Sequence, residues 1–188
     1  MLVWLDLFGI AVFAASGALA AANHRQTLVT FAFFALVTGV GGGTVRDLLI
    51  DAPVFWVRDW RVPATCLVTA GLVWITPFRF WNVRALDWFD AVGLAVFAVF
   101  GAWKALSLGV PPLPAMMMGV ITACVGGIIR DVLSGEPSIL MRPELYVTAA
   151  ALAATLFVVL TSFGFSPLGA GIVSAAAGFT LRALAIAR

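Results

Sequence analysis

The sequence predicts an all-α integral membrane protein of seven transmembrane helices, arranged as an inverted 3+3 repeat plus one extra helix. Three observations carry this. Hydrophobic residues make up 63% of the 188 and charged residues only 11%, with a mean hydropathy of +1.09, more apolar surface than a soluble chain of this length can bury. The chain also repeats itself at a constant offset of 84: Thr38, Gly42, Gly43, Arg46, Asp47, Leu49 and Pro53 return as Thr122, Gly126, Gly127, Arg130, Asp131, Leu133 and Pro137, and Asp6, Gly9, Phe13 and Gly17 return as Asp90, Gly93, Phe97 and Gly101. Lastly, both copies keep glycines and an Arg-Asp pair inside apolar runs, the pattern of a permeation fold in which two broken helices meet.

A span needs about 20 mostly apolar residues to cross ~30 Å of hydrocarbon. The first candidate runs from 3 to 22. It is not a cleavable signal, because its start carries Asp6 and no Lys or Arg, and the same segment returns in mid-chain at 90 to 106. The second, 27 to 50, follows His24-Arg25-Gln26, and the third, 63 to 80, follows the polar stretch 51 to 61. The fourth, 87 to 106, begins after Arg84, and the fifth, 113 to 133, follows Pro111 and Pro112. The sixth, 144 to 163, and the seventh, 167 to 186, meet at Ser166-Pro167. No linker is long enough for a second domain, so 1–188 is read as one membrane domain: repeat one 1–83, repeat two 84–166, extra helix 167–188. Three spans per repeat is an odd number. The second repeat must enter from the opposite side, so the halves are inverted about an axis in the membrane plane.

Lys and Arg near the span ends set the orientation. Arg58, Arg61 and Lys104 lie on the side of the N-terminus, against Arg25, Arg79, Arg84, Arg142, Arg182 and Arg188 on the other. The expected arrangement is therefore N-terminus outside and C-terminus in the cytoplasm. Trp4, Trp56, Trp60, Trp81 and Trp88 near span ends form the expected aromatic belt.

Thr38, Gly39, Gly41, Gly42 and Gly43 in span two, and Thr122, Gly126 and Gly127 in span five, are the candidate pore and helix-break residues. A glycine costs about 1 kcal/mol relative to Ala inside a helix, and a run of them invites a kink or an unwound turn. An unwound turn frees backbone carbonyls and N–H groups, tolerated at that depth only if buried or lining water. The alternative is close helix packing through small residues.

Arg46, Asp47, Arg130, Asp131 and Lys104 are the candidate pore charges. A charge near a helix centre costs about 2.5–3.5 kcal/mol on the insertion scale, so each needs a partner or water. Sequence neighbours do not face each other on a helix, so pairing is expected across the pseudo-symmetry axis, as Arg46 with Asp131, or to other spans, leaving some of these groups facing a cavity; snorkelling to the interface is the alternative. Asp6 and Asp90 are read as first-turn acids complementing the helix dipole. Lys104 stands where the repeat has Ala20 and either snorkels or guards a pore mouth. Cys66 and Cys124 are read as small core residues, and His24 as a solvated loop residue. The residues suggest no metal site and no cofactor. The net charge of +2, with scattered basic residues, gives no nucleic-acid surface. With one His, two isolated Cys and no nucleotide motif, the chain is not expected to be an enzyme or a primary pump.

The Gly-Gly-Gly-x-x-Arg-Asp run (Gly41 to Asp47), its echo Gly126 to Asp131, Asp-Ala-Val-Gly-Leu-Ala (Asp90 to Ala95) and Pro-Glu-Leu-Tyr (Pro143 to Tyr146) resemble the bacterial glycine-transporter-domain membrane proteins. These share their fold with the trimeric intracellular cation (TRIC) channels. The resemblance implies a multi-pass protein of the bacterial inner membrane, a homotrimer among membrane lipids, and one pore per protomer along helices two and five. The kink glycines of that family fall on Gly41, Gly42, Gly43, Gly126 and Gly127; Val125 stands where the first break has Gly41, so the half-sites are not equivalent.

Two functions follow. In a potassium-conducting channel, carbonyls before each glycine break, with the Thr38 and Thr122 hydroxyls, replace water around a monovalent cation, and Asp47 and Asp131 offset the arginines. In a secondary transporter of small amino acids such as glycine, the downstream half-helix N-termini and the same arginines hold a carboxylate. The channel is the preferred reading.

Overall fold

The computed structural model describes residues 2–77, 81, 84–139 and 145–187. Arg79, Arg142 and Arg188 of the orientation count, and Pro143 and Glu144 of the Pro-Glu-Leu-Tyr motif, lie outside these, as does the side chain of Trp4. The described residues form seven α-helices and no strand: α1 Leu2–Asn23, α2 Leu28–Leu49, α3 Arg61–Ile75, α4 Ala85–Ser107, α5 Pro112–Ser134, α6 Tyr146–Ser162 and α7 Pro167–Ala187. A 3-10 turn, Phe55–Val57, lies between α2 and α3.

Local chemistry sets the ends. Thr27 caps α2 by accepting from the Thr30 N–H, prolines occupy the first turn of α5, and Gly135 ends α5 in the left-handed region at φ 71°. The third span is shorter than expected. Its helix stops at Ile75 because Thr76 precedes Pro77 and is extended, at ψ 122°. Five helices are long and apolar enough to cross a membrane; α3, with 15 residues, and α6, with 17, are shorter apolar helices.

The repeat is visible in the packing. α3 rests on α1 and α2 as α6 rests on α4 and α5, and α7 packs on α4 and α6 outside this scheme. A Cβ on Gly42 would overlap the Thr122 carbonyl oxygen, and one on Gly126 would overlap that of Thr38, the same contact with the copies exchanged. Gly9 meets Phe97 as Gly93 meets Phe13, and the Phe13 and Phe97 rings lie 5.1 Å apart. In both pairs one residue number rises as its partner's falls, so α2 runs antiparallel to α5 and α1 to α4. A two-fold axis perpendicular to the helices relates the halves, the geometry of an inverted repeat.

Both α2 and α5 stay helical through Gly39–Gly43 and Gly126–Gly127, so the unwound turn expected from these glycines does not form. What they provide is proximity, because without a Cβ the two backbones touch at the centre of the protein. Small residues four apart on α1 and α7 act likewise within the protomer. Ala14 and Ala18 are fully buried, as are Ala170 and Ser174, and Gly178 packs against Ala153 of α6. Cys66 and Cys124 are free and buried in the apolar core.

Adding a methyl at the crossing forces α2 and α5 apart. Gly42→Ala and Gly126→Ala are each expected to destabilise the protein by about 1–3 kcal/mol, read as a lower melting temperature in detergent. Gly71→Ala, where a Cβ meets open space on α3, should not lower the melting temperature.

Candidate functional site

The α2–α5 seam carries a charge cluster toward each end. At the first, the C-terminal part of α2 presents Arg46, 1% exposed, and Asp47, fully buried. Arg46 Nε donates to Asp47 Oδ1 at 2.9 Å, and Lys104 Nζ reaches the same oxygen from α4 at 2.8 Å. The other oxygen, Oδ2, accepts the Phe55 backbone N–H at 3.0 Å. Asp6, on α1, is partly buried and lies within the electrostatic reach of Arg46 and Lys104. Trp56 closes over the cluster's rim, its indole N–H donating to the Thr44 hydroxyl at 3.0 Å.

The second cluster is the two-fold image with different chemistry. Arg130 Nε donates to Asp131 Oδ1 at 2.9 Å, and Asp131 Oδ2 accepts the Ile139 N–H at 2.7 Å, as Asp47 does from Phe55 at the equivalent place. Where the first cluster adds a cation, the second adds an anion. Arg130 Nη1 donates to Asp90 Oδ1 at 2.7 Å and to the Ser16 hydroxyl at 3.0 Å. The Tyr146 hydroxyl approaches Gly127 beside Asp90. The formal charges of Arg46, Lys104 and Asp47 sum to +1, and those of Arg130, Asp90 and Asp131 to −1.

These contacts bear on three expectations. Arg46 pairs with its neighbour Asp47 and not with Asp131, because a long guanidinium folds back along the helix to a carboxylate one residue on. The cross-repeat bonds are instead Lys104 to Asp47 and Arg130 to Ser16. Asp90 is not a first-turn dipole partner: α4 begins at Ala85, and Asp90 lies beyond its first turn, fully buried and bonded to Arg130. Lys104 does not snorkel away from the protein; its side chain is 20% exposed and ion-paired.

Thr38 and Thr122 are buried at the crossing with Gly39, Gly41, Gly42, Gly43, Gly126 and Gly127. The Thr122 hydroxyl donates to the Met118 carbonyl at 2.6 Å, a bond back along its own helix. Because α2 and α5 remain helical, the carbonyls ahead of the glycines stay within helical backbone and form no cage. The polar space lies farther along the seam. A cavity of about 280 Å³ opens between the N-terminal part of α2 and the C-terminal part of α5, lined by Ala21, His24, Gln26, Thr30, Phe34, Leu133 and Ser134. His24 is thus a wall of this vestibule, and it lies 3.6 Å from Glu136. Outside the spans, the Arg61 guanidinium hydrogen-bonds Asp59 and holds its carboxyl below the usual carboxylate range.

Sequence reasoning missed Phe55, Ile139, Ser16 and the pairing role of Asp90. A signal was present for three of them. Phe55 and Ile139 each stand eight residues after the repeated Asp and two after the repeated Pro, and Asp90 itself belongs to the repeat. Ser16 carries no such signal, since its counterpart is Phe100.

Removing Arg130 leaves Asp90 and Asp131 buried without their cation. Arg130→Ala is expected to cost about 3–5 kcal/mol of stability, part of which Asp90→Asn in the same chain restores. Arg46→Ala combined with Asp131→Ala should show no such recovery, because those two residues are not partners. Thermal melting of these variants and of the corresponding single variants in detergent checks both statements.

The model of the family described as glycine transporter matches residues 3–77 and 87–162, one match over α1–α3 and one over α4–α6. The inner membrane protein YadS of Escherichia coli, of the UPF0126 group, is 44% identical over 155 residues, covering 79% of this chain and 73% of that protein. Among solved structures, the TRIC trimeric intracellular cation channel orthologue from Rhodobacter sphaeroides superposes with a TM-score of 0.90 at 43% identity, covering 97% of this chain and 95% of that one. A prokaryotic TRIC channel superposes with a TM-score of 0.89 at 28% identity, covering 97% and 94%. The two solved structures are TRIC channels and not enzymes, and YadS is named as an inner membrane protein. The chain therefore belongs to the glycine transporter family of membrane proteins, the family it shares with the bacterial TRIC channels.

Proposed function

We propose that this protein is a monovalent cation channel, conducting potassium, with one pore in each protomer of a homotrimer. The observation that carries the reading is the neutralisation of both arginines by carboxylates of the chain itself. Two free guanidinium groups along the seam would repel cations; two paired ones do not. The cluster of net charge −1, beside the vestibule, favours a cation there. The similarity to solved TRIC channels supports the same function and the trimer.

In this reading the path follows the α2–α5 seam, past Thr38, Thr122 and the glycines Gly39, Gly41, Gly42, Gly43, Gly126 and Gly127. The chain acts as one domain, repeat one 1–83 and repeat two 84–166 with α7 appended, in the bacterial inner membrane. On the excess of Lys and Arg near the span ends, this reading takes the N-terminus as outside and the C-terminus as cytoplasmic. The vestibule then opens to the cytoplasm, and the Lys104 cluster lies toward the outside. Carriage of glycine or another small amino acid is the less supported reading, because Arg46 and Arg130 already hold carboxylates and offer no free fork to a substrate.

Purified protein in liposomes tests this. Potassium efflux should exceed uptake of labelled glycine at every protein-to-lipid ratio, and saturable glycine uptake without potassium flux would overturn the reading. Asp90→Asn, which removes the excess negative charge beside the vestibule, should lower potassium flux several-fold in protein that still assembles.

A further inference from the structure

Phe55 has a place of its own in the first cluster. It follows α2 by six residues, yet its ring returns over the helix end and rests on Gly43, where an added Cβ would lie 2.6 Å from Phe55 Cε1. No residue with a side chain at position 43 leaves that notch. From this seat the ring meets both cations of the cluster: its centroid lies 5.6 Å from Lys104 Nζ and 5.8 Å from the Arg46 guanidinium carbon. Phe100 of α4 faces the same guanidinium at 5.6 Å. An aromatic face within about 6 Å attracts a cation, more so when water is excluded. Backbone and ring thus act together, because the Phe55 N–H holds one oxygen of Asp47 while the ring holds the two cations bonded to the other.

Among the described residues, no ring at the second cluster faces Arg130 in this way; the Tyr146 ring there faces Arg182 at 5.3 Å. At the equivalent place stands Ile139, whose N–H makes the same bond to Asp131 but whose side chain has no π face, and the notch at Gly127 is filled by the Tyr146 hydroxyl. The aromatic clamp belongs to the half-site where Lys104 replaces the Ala20 of the repeat.

We propose that Phe55 is a positioning residue that governs cation access at this end of the seam. Its ring holds Lys104 on Asp47, so the carboxylate is kept occupied and is not offered to an entering cation. The access role rests on the channel reading; the clamp on Lys104 does not. Phe55→Leu keeps an apolar side chain and the Asp47-bound N–H but removes the π face, Phe55→Tyr keeps the face, and Gly43→Ala expels the ring.

Lys104 is the sole lysine of the chain, so its amine can be followed by itself. In the liposome-reconstituted protein, labelling of Lys104 by a small amine-directed reagent, quantified by peptide mass spectrometry, should be roughly three- to thirtyfold faster in Phe55→Leu than in wild type, with Phe55→Tyr near wild type. Gly43→Ala should match Phe55→Leu. Potassium flux should rise in the same variants and in the same order. Unchanged Lys104 labelling in Phe55→Leu would overturn the clamp. Faster labelling with unaltered potassium flux would overturn the access role while leaving the clamp, and absence of flux from the wild type would overturn the channel reading and the access role together.

Discussion

The buried arginines of the two central helices, Arg46 on α2 and Arg130 on α5, each needing a carboxylate, are the constraint around which this protein is arranged. A guanidinium without a partner at this depth costs several kcal/mol, so each Arg is followed by an Asp that folds back to it. That Asp in turn needs a donor for its second oxygen. The chain supplies one by turning just after the repeated Pro and bringing a backbone N–H inward, from Phe55 in one half and Ile139 in the other. Helix ends, loop paths and the third partner of each cluster follow from satisfying these pairs.

The second constraint is geometric. The clusters are placed by an antiparallel crossing in which Gly42 faces the Thr122 carbonyl and Gly126 faces that of Thr38. Dispersion and close packing hold such a contact in lipid, where no hydrophobic force separates helix from solvent. Duplication gives the crossing its symmetry, and divergence gives it polarity: Lys104, in place of Ala20, adds a cation bonded to Asp47 at one cluster, while Asp90 adds an anion bonded to Arg130 at the other. A symmetric scaffold thus carries an asymmetric field along the seam.

Much of this was legible in the sequence, for physical reasons. Composition and the 84-residue repeat gave seven helices, the odd repeat unit and the inversion, because apolar length and parity leave few alternatives. The glycines marked the right place but the wrong device: consecutive glycines permit unwinding as well as contact, and only the position of the opposing helix decides between them. The Arg-Asp pairs were found but mispaired, since helical spacing describes Cβ directions and not the reach of an arginine. Asp90 was underread because its partner lies 40 residues away, and Phe55 because its role depends on a loop returning over Gly43.

The central claim is that pairing of both arginines leaves a path for cations and not for anions. The reversal potential of the wild-type protein in a planar bilayer separating two KCl concentrations tests it most directly. The account predicts a reversal potential displaced toward the potassium equilibrium potential. A reversal potential at zero or displaced toward that of chloride would contradict it, and would mean that Arg46 or Arg130 presents its charge to the path.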